Sequence, residues 1–99
     1  MTEFSEETKR KIEELCKKNK VSELSLFGSR ARGDEHADSD FDLLVDFLPD
    51  SGVSLFEYSR MQIDLEEIIG KKVDLVDKKG LKRFIKDRVL AEAQPIYEG

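Results

Sequence analysis

The chain has 99 residues, 38% of them hydrophobic and 39% charged, with a formal net charge of −5. That length fits one domain, residues 1–99, with a core but little surplus. No apolar run approaches a membrane span, no charged-then-apolar leader predicts a signal peptide, and the acidic balance argues against gripping nucleic acid by overall field.

The single Cys16 has no partner for an internal disulfide, which suits a reducing cytosol. Charge is unevenly spread. Between Asp34 and Asp50 lie Asp34, Glu35, Asp38, Asp40, Asp42, Asp46 and Asp50, with no Lys or Arg among them. Between Lys78 and Arg88 lie Lys78, Lys79, Lys82, Arg83, Lys86 and Arg88 against Asp87 alone. Runs of this kind are usually solvated surface, and the basic one also suits contact with a polyphosphate or a partner.

In chain order, the first predicted element is a helix from about Ser5 to Lys18. Ile12, Leu15 and Cys16 share a face, and Asn19 is a stop. Val21 to Phe27 alternates as a strand with Leu24 and Leu26 on one side, and Gly28 breaks it. Ser29 to Arg32 reads as a short helical turn and Gly33 to Ser39 as polar loop. Phe41 to Phe47 is the clearest strand, with Phe41, Leu43, Val45 and Phe47 facing one way and Asp42, Leu44 and Asp46 the other. A helix from about Ser54 to Ile69 follows, capped by Gly70. Then come a short strand from Val73 to Val76 and a helix from about Leu81 to Ala93, ended by Pro95. Three strands alternating with helices predict an α/β (α+β) layer with helices packed on one face. Periodicity leaves strand order and direction open.

The chemistry concentrates between Gly28 and Asp42. Gly28 lets the backbone come close to a ligand, and Ser29 supplies a hydroxyl at a turn whose free N–H groups attract phosphate. Asp40 and Asp42, two residues apart, point the same way on a strand. Paired carboxylates repel, and a divalent cation relieves them. A phosphate cradle beside a carboxylate pair reads as a nucleoside triphosphate held through Mg²⁺. Asp74, alone between Val73 and Leu75, is the third candidate carboxylate, while Asp77 alternates with it and needs a register slip to replace it. Arg30 and Arg32 can reach a triphosphate or pair with the acidic loop. His36 sits in polar loop with no second His or Cys nearby, so neither a zinc site nor a triad can be drawn.

Leu24 to Gly33 (LSLFGSRARG), followed by Asp38 to Val45 (DSDFDLLV), resembles the signature of the DNA-polymerase-β-like nucleotidyltransferases. The wording is most similar to the minimal nucleotidyltransferases, the MNT antitoxins that accompany HEPN-domain toxins. The resemblance runs through nearly the whole chain. It implies a small mixed sheet whose open face carries the carboxylates, with Leu44 and Val76 on that face flooring the cleft or meeting a partner. It also implies catalytic and metal-binding Asp40, Asp42 and Asp74, two Mg²⁺ ions, and ATP as substrate. The implied activity is transfer of AMP to a tyrosine hydroxyl of a HEPN ribonuclease toxin. Two other classes stay open: an antitoxin that neutralises its partner by covering it, and an antibiotic-modifying transferase, which needs a second domain or an elaborate dimer.

Overall fold

The computed structural model describes residues 4–28, 31, 33 and 40–98, with Phe84 by its backbone alone. Helix α1, Glu6–Lys18, opens on Ser5, whose hydroxyl accepts the Thr8 amide hydrogen at 3.2 Å. Glu6 and Glu7 in its first turn and Lys17 and Lys18 in its last complement the helix dipole. It stops at Asn19, whose amide and side chain both donate to the Leu15 carbonyl. Helix α2, Leu55–Ile69, is capped by Ser54 and ends at Gly70, whose φ of +81° is the left-handed conformation glycine adopts without penalty.

Four strands form one sheet in the order β3-β2-β1-β4. Strands β1 (Val21–Phe27) and β2 (Phe41–Phe47) lie where the alternation predicts them, and β3 runs Val73–Asp77. The fourth, β4 (Gln94–Glu98), corrects the expectation of three strands. Pro95 does not merely end a helix; it lies within a strand at the sheet edge, where its missing N–H is tolerated. β1 pairs antiparallel with β2 and β4, and β2 pairs parallel with β3, so the sheet is mixed. Tight register gives two distinct faces.

One face is the core. Leu24, Leu26, Leu43, Val45 and Leu75 pack there against Ile12, Leu15 and Cys16 of α1 and Met61 and Leu65 of α2. Phe41 meets Phe4 at a centroid distance of 5.4 Å, and Phe47 meets Tyr58 at 6.0 Å. Burying a large apolar side chain of this kind stabilises by about 1.5–3 kcal/mol. The two well-capped helices therefore hold the sheet from one side.

The other face carries Asp42, Leu44 and Asp46 of β2 with Ser25 of β1 and Asp74 and Val76 of β3, as the registers Ser25↔Leu44, Asp42↔Asp74 and Leu44↔Val76 require. Here the structure corrects a second expectation. Leu44 is not an open floor: it is 2% exposed, as is Ser25, yet neither belongs to the core cluster. The chain between β3 and β4 returns from one edge of the sheet to the other. After a 3₁₀ turn at Lys78–Gly80 it forms α3, Arg83–Glu92, which contacts β1. The steps β2 to β3 and β3 to β4 both join parallel strands but cross the sheet in opposite directions. Right-handed crossovers then put α2 and α3 on opposite faces. Helix α3 is shorter than the expected Leu81 to Ala93, and no side chain caps its start at Lys82.

Candidate active site

Asp42 is fixed from both sides. It lies opposite Phe27 on β1 and beside Asp74 on β3, in adjacent strands about 4.8 Å apart. Asp42 is half-buried, while Asp40, just ahead of β2, and Asp74 are exposed. Two backbone ties keep the three carboxylates at one end of the sheet. The Phe41 amide donates to the Lys72 carbonyl at 2.9 Å, joining the starts of β2 and β3. The Val73 amide donates to Glu66 Oε2 of α2 at 3.1 Å, fixing the residue before Asp74. Like charges side by side on one sheet face repel, so an arrangement held this firmly favours a cation.

Gly28 closes the site from β1. Its φ is +79°, and a Cβ there would run into the Asp42 carboxylate, lying 3.0 Å from Cγ. The position therefore excludes any side chain on two independent grounds, backbone conformation and space. The Ala31 amide donates to the Gly28 carbonyl at 3.1 Å, beginning a helical turn, and Gln94 Nε2 of β4 donates to the Ala31 carbonyl at 2.8 Å. Gln94 and Glu66 are supports that the motif reading missed. A polar side chain entering β4, and a glutamate one turn before the α2 cap, were the available signals. Ser29, Arg30 and Arg32, together with His36, lie outside the described residues.

Asp77 stands opposite Val45, off the carboxylate face, and its Oδ1 accepts the Lys79 amide hydrogen. It caps a turn rather than joining Asp42. Asp46, farther along the same face of β2, is half-buried opposite Glu23, and its Oδ1 has no hydrogen-bond partner among the described residues. Tyr58 packs against the core and donates its hydroxyl hydrogen to the Leu75 carbonyl. Burial, then Asp77 and Asp74, push its pKa up, so it stays a neutral phenol at ordinary pH. Burial and then Glu13 push the Cys16 thiol up to about 12, which makes it packing and not a nucleophile. A concave surface of about 500 Å³, lined by Phe47, Val53, Tyr58 and Lys79 among others, lies at the far end of β2 from the carboxylates.

Among the described residues no three His, Cys, Asp or Glu side chains close into a metal cage. The donors nevertheless suit Mg²⁺, which takes one or two protein carboxylates and fills its remaining positions with water and phosphate oxygens. Gly28, with no Cβ, lets the Asp42 carboxylate lie close against the end of β1.

A family model described as "Nucleotidyltransferase domain" matches residues 8–96, from α1 through β4. The chain belongs to this nucleotidyltransferase family. It is 42% identical over 79 residues to the protein adenylyltransferase MntA of Thermococcus cleftensis, covering 80% of this chain and 78% of that one. A solved structure assigned as a minimal nucleotidyltransferase superposes with a TM-score of 0.77 at 34% identity, covering 96% of this chain and 99% of the other. The MNT antitoxin fold is shared too. A structure of tri-AMPylated Shewanella oneidensis HEPN toxin in complex with MNT antitoxin superposes with a TM-score of 0.67 at 20% identity, over 93% of this chain and 71% of that chain. As a nucleotidyltransferase, the chain has its family's sheet, with Asp42, Asp74 and Gly28 brought together on one face.

Proposed function

We propose that the chain is a cytoplasmic protein adenylyltransferase that moves AMP from ATP to a tyrosine hydroxyl of a partner HEPN ribonuclease toxin, and so acts as that toxin's antitoxin. The observation that carries the reading is the Asp42–Asp74 pair in register beside Gly28, whose φ of +79° and closeness to the Asp42 side chain strain any substitution. The names of its relatives support a protein acceptor, and the AMPylated toxin beside an MNT antitoxin supports AMP as the group transferred.

In this reading the Gly28 turn and Ser29 hold the β- and γ-phosphates, with Arg30 and Arg32 within the same segment. Asp40, Asp42 and Asp74 would hold Mg²⁺, two ions in all. Mg²⁺ at such a site neutralises charge on the phosphates and on the departing pyrophosphate. The acceptor oxygen attacks the α-phosphorus, the bond from that phosphorus to the β-phosphate oxygen breaks, and pyrophosphate leaves. In this reading Asp74, an exposed carboxylate at the sheet edge, helps to bind the second metal or takes the hydroxyl proton. The acceptor's own surface, in the same reading, helps to exclude water and align the hydroxyl.

The test is AMP transfer from α-labelled ATP to the co-expressed HEPN protein, followed by mass spectrometry of the product. Transfer that vanishes in Asp40→Asn plus Asp42→Asn supports the reading. Toxin neutralisation without any adduct would replace it with a covering antitoxin whose nucleotide site is idle.

A further inference from the structure

Gln94 reaches from β4 to the segment that follows Gly28. Its Nε2 donates to the Ala31 carbonyl at 2.8 Å, a bond between residues 63 apart in sequence. The Gln94 end of this bond is fixed without it. Its backbone pairs with Leu26 on β1, and Pro95 after it stands opposite Ser25. A residue before proline is confined to extended backbone, so the side chain leaves from a stiff base. The Ala31 end is less secure. Its amide donates to the Gly28 carbonyl at 3.1 Å, but it offers the core only a half-buried methyl group. The strand pairing and the Gln94 side chain therefore close the chain from Leu26 through Gly28 to Ala31 into a ring.

The side from which the turn is held matters. Residues paired across antiparallel strands share a face. Gln94 thus leaves the sheet on the side of Leu26, which is the core side, whereas Asp42 and Asp74 occupy the other. The grip comes from behind and does not compete with a ligand beside Asp42. Being neutral, the amide also adds no charge to a place where carboxylates and phosphates meet. We propose that Gln94 is a positioning residue for the nucleotide: by holding the Ala31 carbonyl, it keeps the Gly28 turn ordered before a triphosphate arrives. A turn ordered in advance loses less freedom when the ligand binds, and affinity rises accordingly. This rests on the reading that the Gly28 turn holds the phosphates. Loss of the bond should then be felt at ATP and not at the acceptor.

The test compares wild type with Gln94→Met, which keeps the length and loses the donor, and with Gln94→Lys, which restores a donor of similar reach. Gln94→Asn, polar but one methylene short, gives the same reading should Gln94→Met fold poorly. Amide exchange at Ala31 is measured without ligand, MgATP affinity by calorimetry, and AMP transfer to the co-expressed HEPN protein separately. Gln94→Met should show faster exchange at Ala31. Its MgATP dissociation constant and its KM for ATP should rise about three- to tenfold, with kcat and acceptor KM within about twofold. Gln94→Lys should recover most of the affinity. Unchanged MgATP affinity in the donor-less variants overturns the proposal and leaves the transferase reading intact, even if melting temperature falls, because a bond serving the fold alone moves only stability. Weaker MgATP binding in those variants, with no transfer even by wild type, supports the proposal and removes the transferase. Absence of MgATP binding by wild type overturns both.

Discussion

Helix α1 carries a serine cap, acids in its first turn, bases in its last and a face of Ile12, Leu15 and Cys16 in the core. Helix α3 has a lysine at its cap, bases first, an acid last and, among its described side chains, none that is fully buried. The same sheet supports both. Its core face selects for packing, so each local choice on α1 agrees with the fold. No described side chain of α3 joins that core, and the helix gives up local stability and keeps charge exposed. Violations of local rules gather where function is. Strand β2 carries the division within itself: Leu43 is wholly buried, and its neighbour Asp42 belongs to the site.

The largest test of that division substitutes adjacent residues of β2. Asp42→Asn should lower AMP transfer at least about a thousandfold, roughly 4 kcal/mol of barrier, with melting temperature unchanged or higher because a like-charge pair is gone. Leu43→Ala should destabilise by about 2–5 kcal/mol while the folded fraction keeps its ATP affinity. Denaturant titration beside a transfer assay checks both. Transfer by Asp42→Asn within tenfold of wild type would remove the metal assignment.

Alkaline pH should probe the core face alone. The Cys16 thiol ordinarily titrates near 9.0 and is held protonated to about 12 in the fold, and the Tyr58 phenol is raised in the same direction. Both groups are neutral when protonated, so their contribution is complete below the unfolded pKa. It is lost as pH rises from about 9 toward 12, by up to about 1.4 kcal/mol per unit for the thiol. Urea midpoints across that range should fall in wild type and fall less steeply in Cys16→Ala. Equal slopes would show that the thiol is not shielded.

How much of this could be read beforehand follows the same division. Strands β1 and β2 and helices α1 and α2 were legible because alternation, the shared face of Ile12, Leu15 and Cys16, and the stops at Asn19 and Gly70 report local physics. The Asp40–Asp42 pair and the oddity of Asp74 were legible for the same reason. That Asp74 lies beside Asp42 followed only from the family resemblance, because a parallel register depends on the α2 crossover and not on either strand. Strand β4 was missed because Pro95 signals a break, and only its place at the sheet edge makes it harmless. Leu44 looked open because alternation puts it on the carboxylate face, and nothing in the strand itself shows that this face is covered there.

Helix caps give a smaller contrast. Ser5→Ala should cost about 1 kcal/mol, because the Thr8 amide loses its acceptor at a helix the core depends on. Thermal melting monitored by circular dichroism reads it directly. No loss would mean that α1 is held by its buried face alone.

The smallest effect runs the other way. Lys82→Ser gives α3 the cap it lacks and removes one charge that opposes its dipole, so stability should rise by about 0.5–1 kcal/mol, a few degrees in melting temperature. The gain should appear chiefly as slower amide exchange in the first turns of α3 and leave α1 unchanged. If the exposed lysine serves an outside partner, the same change should raise the acceptor KM slightly while the fold improves. A variant that is both more stable and equally good at engaging its acceptor would mean that α3's poor cap carries no function. One that gains stability and loses acceptor affinity would show α3 trading local order for contact with a partner.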